Sequence, residues 1–190
     1  MTAQTTDISL CSTALSAMGA DPIESFSDET REALVCAQFY SILIADLLSR
    51  HPWRFAVGQA QLSRLNETPL YGYAYAYQLP TDMVDLLSME RAGGYQVYEN
   101  KLFSDLPEMK VTYKFQPKES RFPAYFQRLV VLEMAAFLSV AIAEDKEKAK
   151  MFQGLAIEQL RQSKLTDSKQ QPNRSVRQEN FSLIQVRHSY

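Results

Sequence analysis

DETREALVCAQFYSILIADLLSRHPW, residues 28–53, is the stretch that decides the fold. When its residues are placed at intervals of about 100°, Cys36, Tyr40, Leu43 and Leu47 fall on one face of a helix. A broad apolar face of this kind is typical of a helix that packs on a core. The pattern therefore predicts one long helix, which we expect to be the central helix of the fold.

Both ends of this helix carry local signals. Ser27 or Asp28 can cap the first turn, because their side-chain oxygens accept hydrogen bonds from free backbone N–H groups. Pro52 disfavours the α region at His51 and so ends the helix. The sequence predicts a helix from about Asp28 to Arg50.

The side opposite the core face is not uniformly polar. Val35 and Ile42 interrupt a strip formed by Arg31, Gln38 and Ser49. Apolar residues in such a strip indicate a second contact surface. We expect Val35 and Ile42 to lie at a subunit interface.

Three further helices follow from the same periodicity. The first opens at Thr6 or Asp7 and ends near Met18, with Gly19 in the position that commonly ends a helix. The third begins at Pro123, and the fourth follows the charged turn EDKEK. Because this turn is short, the last two helices should form an antiparallel hairpin against the first two.

From Trp53 onward the apolar pattern changes to alternation, which predicts strands. Trp53, Phe55 and Val57 alternate with smaller or polar residues, and MKVTYKFQP later does the same. An antiparallel meander is the simplest arrangement of several such strands. We expect Trp53 to be a core anchor that joins the central helix to this β region.

Four tyrosines stand at every second position in LYGYAYAYQLP. In a single strand, Tyr71, Tyr73, Tyr75 and Tyr77 would all project from one face. Such a row could stack sugars or bases, although rings at this spacing are more often half-buried sheet residues. We favour the sheet interpretation and treat the four tyrosines as further candidates for a subunit interface.

These patterns predict an α+β protein that is mainly α with a β subdomain. An antiparallel bundle of about four helices is expected over residues 1–52 and 120–168, with an antiparallel β meander inserted at 53–119. Residues 169–190 are expected to form a flexible, extended C-terminal arm.

The predicted arm follows a change of composition that begins at Thr166. The polar stretch SKQQPNRSVRQEN has too little apolar surface to order itself, and the apolar FSLIQV follows it. A basic tether that ends in a small apolar segment is typical of an arm that docks on a partner. The candidate docking residues are Arg174, Arg177, Phe181, Leu183, Ile184, Val186 and Arg187.

The formal net charge of −2 hides an asymmetry along the chain. Residues 1–50 carry seven acidic and two basic side chains, whereas residues 164–190 carry five basic and two acidic ones. No extended positive surface of the kind that holds phosphates is predicted, so sequence-specific binding of nucleic acid is not expected. The composition is compatible with DNA that passes an acidic or neutral wall.

The location of the chain is predicted from its cysteines and its apolar segments. Cys11 and Cys36 both lie in apolar helical contexts, where a free cysteine behaves as a small hydrophobe. The N-terminal MTAQTTDISL lacks the features of a signal peptide. The most apolar segment, 129–143, is shorter than the roughly 20 residues that span a bilayer, and it contains Glu133. We expect a soluble protein from a reducing compartment.

The sequence offers little catalytic chemistry. Neither GxGxxG, GxxxxGK nor GxSxG occurs, so nucleotide binding and a serine triad are not expected. His51 and His188 are far apart, with no Cys or His at metal-ligand spacing. Acid pairs such as Asp82 with Asp85 could serve a glycosidase, but helix caps and solvated charges explain such pairs more often. We expect no enzyme, no cofactor and no metal.

Four segments stand in a distinctive order: DISLCSTALSAMGA, FSDETREALVCAQFYSILIADLLSRHPWRFA, YGYAYAYQLPTDMVDLL and FPAYFQRLVVLEMAAFLSVAIAED. In this order they resemble the tail tubular protein A family of short-tailed bacteriophages, also called head-to-tail adaptors or connectors. The resemblance covers about Asp7 to Leu165. A helix ending in HPW, an aromatic YAYAYQLP strand and a closing hairpin are more specific together than any one of them alone. The tail from Asp167 to Tyr190 matches no known motif.

The resemblance implies a structural virion protein. Members of this family form a ring of twelve copies below the portal and connect it to a tail nozzle of the tail tubular protein B type, around the DNA channel. It also implies a helical bundle with a smaller β region, assembly in the host cytoplasm and no membrane. Some adaptors of related phages are associated with cell-wall hydrolysis, but no residue here matches that activity.

Two alternatives from other classes stay open. A peptidoglycan hydrolase would act on cell walls and lose that activity with one acid. A stand-alone helical binding module would stay monomeric whatever partner is offered.

Overall fold

The computed structural model describes residues 5–89 and 94–170. Within these ranges the chain forms four α-helices and two antiparallel sheets, which places the protein in the α+β class. The helices are α1 (Asp7–Met18), α2 (Arg31–Ser49), α3 (Ala124–Ala141) and α4 (Lys146–Lys169). The strands are β1 (Val57–Gln61), β2 (Ser63–Arg64), β3 (Tyr75–Gln78), β4 (Met83–Met89), β5 (Tyr95–Tyr98), β6 (Lys101–Ser104) and β7 (Lys110–Phe115).

The predicted ends of α1 are confirmed. Thr6 caps the helix by accepting a hydrogen bond from the backbone N–H of Ser9, and the Ser9 hydroxyl oxygen accepts one from the Thr6 N–H in return. Gly19 ends the helix with φ +87°, a left-handed conformation that glycine adopts without a steric penalty.

The predicted start of α2 is wrong by about one turn, whereas its predicted end near Arg50 is confirmed. Thr30, and not Ser27 or Asp28, caps the helix by accepting a hydrogen bond from the N–H of Ala33. The Asp28 carboxylate is already engaged, because it accepts hydrogen bonds from the N–H groups of Glu24 and Ser25 in the preceding turn. A local turn therefore takes the side chain that would otherwise have capped the helix.

The central helix is α3, and not α2 as predicted. α3 packs against α1, α2 and α4, and it buries residues around most of its circumference. α2 buries one face, which includes Cys36, Tyr40 and Leu47, but leaves Leu34 and Ile42 exposed. The sequence of α2 is apolar on two sides, yet the described residues cover only one of them.

The strands do not pair in the sequence order of the predicted meander. One sheet has the order β1-β7-β4, and the other has the order β2-β3-β6-β5. β1 pairs with β7, so that Val57 lies opposite Lys114 and the two ends of the β region close on each other. β5 and β6, which are consecutive in sequence, pair with each other as expected in a meander.

The predicted strand at Trp53 begins four residues later than expected. Arg54–Ala56 form one 3-10 turn, and β1 starts at Val57. Trp53, Phe55 and Ala56 pack in the helical core and not in a sheet. Trp53 and Phe55 therefore reach the helical core from a tight turn, and the alternation of large residues here does not mark a strand.

The C-terminal helix continues past the point where the composition changes. The predicted bundle ends at residue 168 and the composition changes at Thr166, whereas α4 runs to Lys169. Asp145 caps its first turn by accepting hydrogen bonds from two backbone N–H groups. Asp167 near its end is buried and paired, which stabilises the last turn against fraying.

Buried apolar residues form two clusters. The helical core joins α1, α2, α3 and Phe152 of α4 with the turn around Trp53. The β core consists of Leu62, Tyr77, Leu79, Leu102, Met109 and Val111. The division into separate domains at residues 53 and 119 stays a prediction.

By length and hydropathy alone, α2 and α3 could span a membrane. Helices that form a buried core meet the same criterion, so this property does not place the chain in a bilayer.

Candidate interaction surfaces

Trp53 connects the end of α2 to the helical core. Its ring is completely buried, and its Nε1 donates a hydrogen bond of 2.8 Å to the carbonyl oxygen of Leu47. The ring meets Phe126 of α3 edge-on, with centroids 5.1 Å apart. These contacts turn the chain back onto the bundle after Pro52, which is the role of a core anchor.

Asp167 is the least expected residue at this junction. Its side chain is 1% exposed, and both carboxylate oxygens lie 3.1 Å from the backbone nitrogen of Arg54. The hydroxyl of Tyr125 donates a third hydrogen bond of 2.7 Å. One carboxylate therefore joins the end of α4, the start of α3 and the turn that enters β1.

Asp167 was not among the predicted site residues, because it lies at the boundary between the predicted bundle and the tail. An aspartate between Thr166 and Ser168 has the appearance of a solvated polar residue. Its position on the wheel of α4 was the available signal, since Phe152, Ala156 and Ser163 lie on the same buried face.

His51 lies beside the Asp167 carboxylate, with Nε2 3.4 Å from Oδ2. Burial lowers the pKa of His51 below its ordinary value, and this effect outweighs the opposing attraction of Asp167. Lys164 and Lys114 lower the pKa further through their positive charges. The lowered pKa favours the neutral form of His51 at neutral pH.

The exposed side of α2 borders an apolar groove, which we call the helical groove. Its floor is α3, with Phe137 and Val140, and one wall is α2, with Phe39 and Ile42. Its volume is about 420 Å³, and α4 supplies the other wall through Ala149 and Gln153. Ile42 is 63% exposed and Val140 is 49% exposed. The groove therefore presents apolar side chains that nothing among the described residues covers.

A second exposed apolar surface lies in the β region, and we call it the tyrosine cleft. Leu70, Tyr71, Tyr73, Tyr98 and Phe103 line a space of about 470 Å³ between the loop before β3 and the β5–β6 hairpin. Leu70 and Tyr71 protrude from the loop tip, where Gly72 takes φ +85°. The cleft is lined by residues of the β region, whereas the groove lies among the helices.

The interface candidates named from the sequence occupy different environments. Ile42 is exposed in the helical groove, whereas Val35 is half-buried against the helical core. Tyr71 is exposed and Tyr73 half-buried in the loop of the tyrosine cleft. Tyr75 is half-buried in β3, where Arg64 lies 3.9 Å above its ring.

The four tyrosines do not share one strand face, which corrects that prediction. β3 covers residues 75–78 alone, because the Gly72 turn interrupts the strand that was expected to begin at Tyr71. Tyr77 is buried in the β core and donates a hydrogen bond to the carbonyl oxygen of Leu106. Tyr77 is therefore unavailable to a neighbouring subunit.

The titratable groups considered for catalysis are engaged in local structure or exposed. Asp85 lies 3.6 Å from Lys114 in an exposed ion pair, and Asp82 is exposed in the turn before β4. Within 5–89 and 94–170, no group of three or more His, Cys, Asp or Glu side chains could hold a metal ion. Cys11 and Cys36 are free thiols buried in the helical core.

The docking residues predicted for the arm, from Arg174 to Arg187, lie outside the described residues. The described residues instead present three features of interest: the groove, the cleft and the Asp167 junction.

The sequence matches no known protein-family profile and no curated protein. The described residues form an α+β fold with two exposed apolar surfaces, the groove and the cleft.

Proposed function

We propose that this protein is a head-to-tail adaptor of a short-tailed bacteriophage, which forms a ring between the portal and the tail nozzle around the DNA channel. The observation that carries the proposal is the pair of unlike apolar surfaces on one small subunit. Exposed apolar side chains that cluster on a surface, as in the groove and the cleft, are candidates for contacts with a partner. Two unlike surfaces allow a head-to-tail contact between identical subunits, and such contacts form a ring when the rotation between neighbours closes.

The order of sequence segments supports the same proposal. The HPW segment follows α2, YAYQ forms β3, and the segment starting at Phe122 supplies α3. In the proposed adaptor, residues 1–52 and 120–168 form the antiparallel bundle and residues 53–119 the inserted β region. The ring would have twelve copies, as the resemblance to the tail tubular protein A family implies.

The charge distribution agrees with a wall along which DNA passes. The net charge is −2, and seven of the nine charged side chains among residues 1–50 are acidic. Such a surface does not hold phosphates by counterion release, so DNA can slide without being bound at particular sequences. The partners in this proposal are other copies of the chain, the portal and a nozzle of the tail tubular protein B type. No membrane is involved.

The C-terminal arm completes the proposed attachment. Arg174 and Arg177 precede the apolar residue Phe181. This order suits a segment that positive charge steers towards its partner and that then docks in a groove. In the assembled particle the arm docks on the portal or on a neighbouring subunit.

The test is the mass of the full chain measured by light scattering, alone and with purified portal protein. We expect a complex that contains several adaptor copies for each portal ring. A matched pair of variants, Tyr71→Ser in the tyrosine cleft and Val84→Ser on the exposed face of β4, distinguishes a surface effect from a general loss of solubility. Assembly should weaken in the first variant alone.

A mass that stays monomeric with every portal tested would refute the adaptor proposal and favour a stand-alone helical binding module. The helical groove is the feature that favours this second candidate, because amphipathic helices bind in grooves of this kind.

A further inference from the structure

The helical groove has the form of a packing site with one element missing. α3 is covered by α1, α2 and α4 on its other sides, yet Phe137 and Val140 face the space between α2 and α4. Phe39 and Phe137 already contact each other at the base of this space, with ring centroids 3.9 Å apart. An apolar segment laid over these rings would bury the groove.

We propose that in the free subunit the helical groove binds Phe181–Val186 of the same chain. This inference does not depend on the adaptor proposal. The segment FSLIQV contains Phe181, Leu183, Ile184 and Val186, and it is preceded and followed by polar sequence. It is too small to form a core alone, but it matches a groove lined by two phenylalanines, an isoleucine and a valine.

The length of chain beyond α4 suits this occupant. Asp167 anchors the end of α4 at the junction with Arg54 and Tyr125, so the chain leaves α4 at the same end of the bundle where α3 begins. The groove lies between Glu133 and Val140 of α3, about 12–23 Å along the helix from Tyr125 at 1.5 Å per residue. Residues 171–180 form a tether of ten residues between α4 and the segment.

A chain of ten residues spans at most about 33–36 Å, so the tether is long enough to reach the groove. When a short linker can span two sites, the effective concentration of the linked segment is in the millimolar range. A second copy at micromolar concentration would compete poorly with the segment of the same chain.

Charges favour the same placement. Asp46 and Glu133 at the groove share one cation, Arg50, which forms ion pairs with both carboxylates. The groove therefore keeps a negative charge. The sequence from residue 171 to residue 190 carries three arginines and one glutamate, so it is complementary to this surface.

Docking would cover an apolar surface that the subunit otherwise exposes. A partner that displaces Phe181–Val186 could bind both the groove and the released segment.

The experiment is cysteine cross-linking in the full chain. The variant Val140→Cys with Leu183→Cys places one thiol in the groove and one in the segment. The control is Met151→Cys with Leu183→Cys. Met151 is 54% exposed, close to the 49% of Val140, and it lies on the opposite side of α4 from the groove-lining Ala149 and Gln153. Native Cys11 and Cys36 are buried and should not compete.

In dilute protein with oxidised glutathione, the groove pair should form an intramolecular disulfide about tenfold faster than the control pair, because the docked segment has the higher effective concentration. High salt should reduce this difference. Equal rates for the two pairs would overturn the proposal. A covalent dimer from a mixture of the single variants Val140→Cys and Leu183→Cys, formed faster than the intramolecular bond, would assign the groove to a second copy and also overturn it.

Limited trypsin digestion gives a second measurement without cysteines. Arg187 follows the segment directly, so docking should protect the bond after Arg187 from cleavage. Val140→Asn should increase the rate of this cleavage several-fold, whereas Met151→Asn should leave it unchanged. Identical rates in the two variants would show that the groove does not hold the segment.

Discussion

Replacement of Asp167 by alanine should destabilise the protein more than any exposed carboxylate change. The substitution removes the acceptor for the N–H of Arg54 and for the hydroxyl of Tyr125. A buried donor left without a partner costs about 1–3 kcal/mol, so the two donors together cost about 2–6 kcal/mol. A value of about 4 kcal/mol corresponds to a fall of roughly 12 °C in the melting temperature of a chain of this size.

The measurement is thermal unfolding followed by circular dichroism at pH 7.5, with Asp85→Ala as the matched control. Asp85 is 58% exposed and faces Lys114 across 3.6 Å, and exposed ion pairs of this kind contribute about 0–1 kcal/mol. Asp167→Asn should lie between the two variants, because the amide keeps one acceptor oxygen but presents N–H groups to a donor.

A double-mutant cycle identifies the interaction responsible. Tyr125→Phe removes only the hydroxyl that donates to Asp167, so its effect should be small when Asp167 is already alanine. The coupling free energy should be about 0.5–3 kcal/mol. If Asp167→Ala lowers the melting temperature no more than Asp85→Ala does, the donors have found other partners and this account of the junction is wrong.

Three further predictions concern the junction and the arm. Trp53→Ala should cost about 3–5 kcal/mol in unfolding free energy, and unchanged thermal unfolding together with failed assembly would reassign Trp53 to an interface. Because the pKa of His51 is lower in the folded than in the unfolded protein, the unfolded state binds more protons as the pH falls below about 6.5. The stability contributed by neutral His51 is therefore complete above that pH and declines below it, and denaturant titrations from pH 7.5 to pH 5 should show a shallower decline for His51→Gln. Deletion of Pro172–Tyr190 should leave the melting temperature nearly unchanged while attachment to portal-bearing heads fails. Attachment that persists in a binding assay, or an unfolded subunit, would rule out the docking-arm hypothesis.

Local signals were sufficient for the elements whose ends depend on neighbouring residues. α1 begins after Thr6, which caps it by hydrogen bonds within the first turn, and it ends at Gly19, which takes a left-handed conformation. The end of α2 also depends on neighbouring residues, since the helix stops three residues before Pro52. Helical periodicity also predicted the buried face of α2, because the spacing of apolar residues shows which face is buried whatever element covers it.

The remaining features depend on residues far apart in the chain. The partner of β1 is β7, and alternation of apolar residues says which face a strand buries but not which strand lies beside it. The burial of Asp167 depends on hydrogen bonds from Arg54 and Tyr125, which are 113 and 42 positions away in sequence. The polar residues next to Asp167 in sequence therefore gave no sign of its burial. Whether Ile42 is covered or exposed is decided by the path of α3 and α4, which leaves a groove on one side of α2. Caps and periodicity are local properties of the chain, whereas strand partners, a buried charge and an open groove are set by the packing of elements against one another.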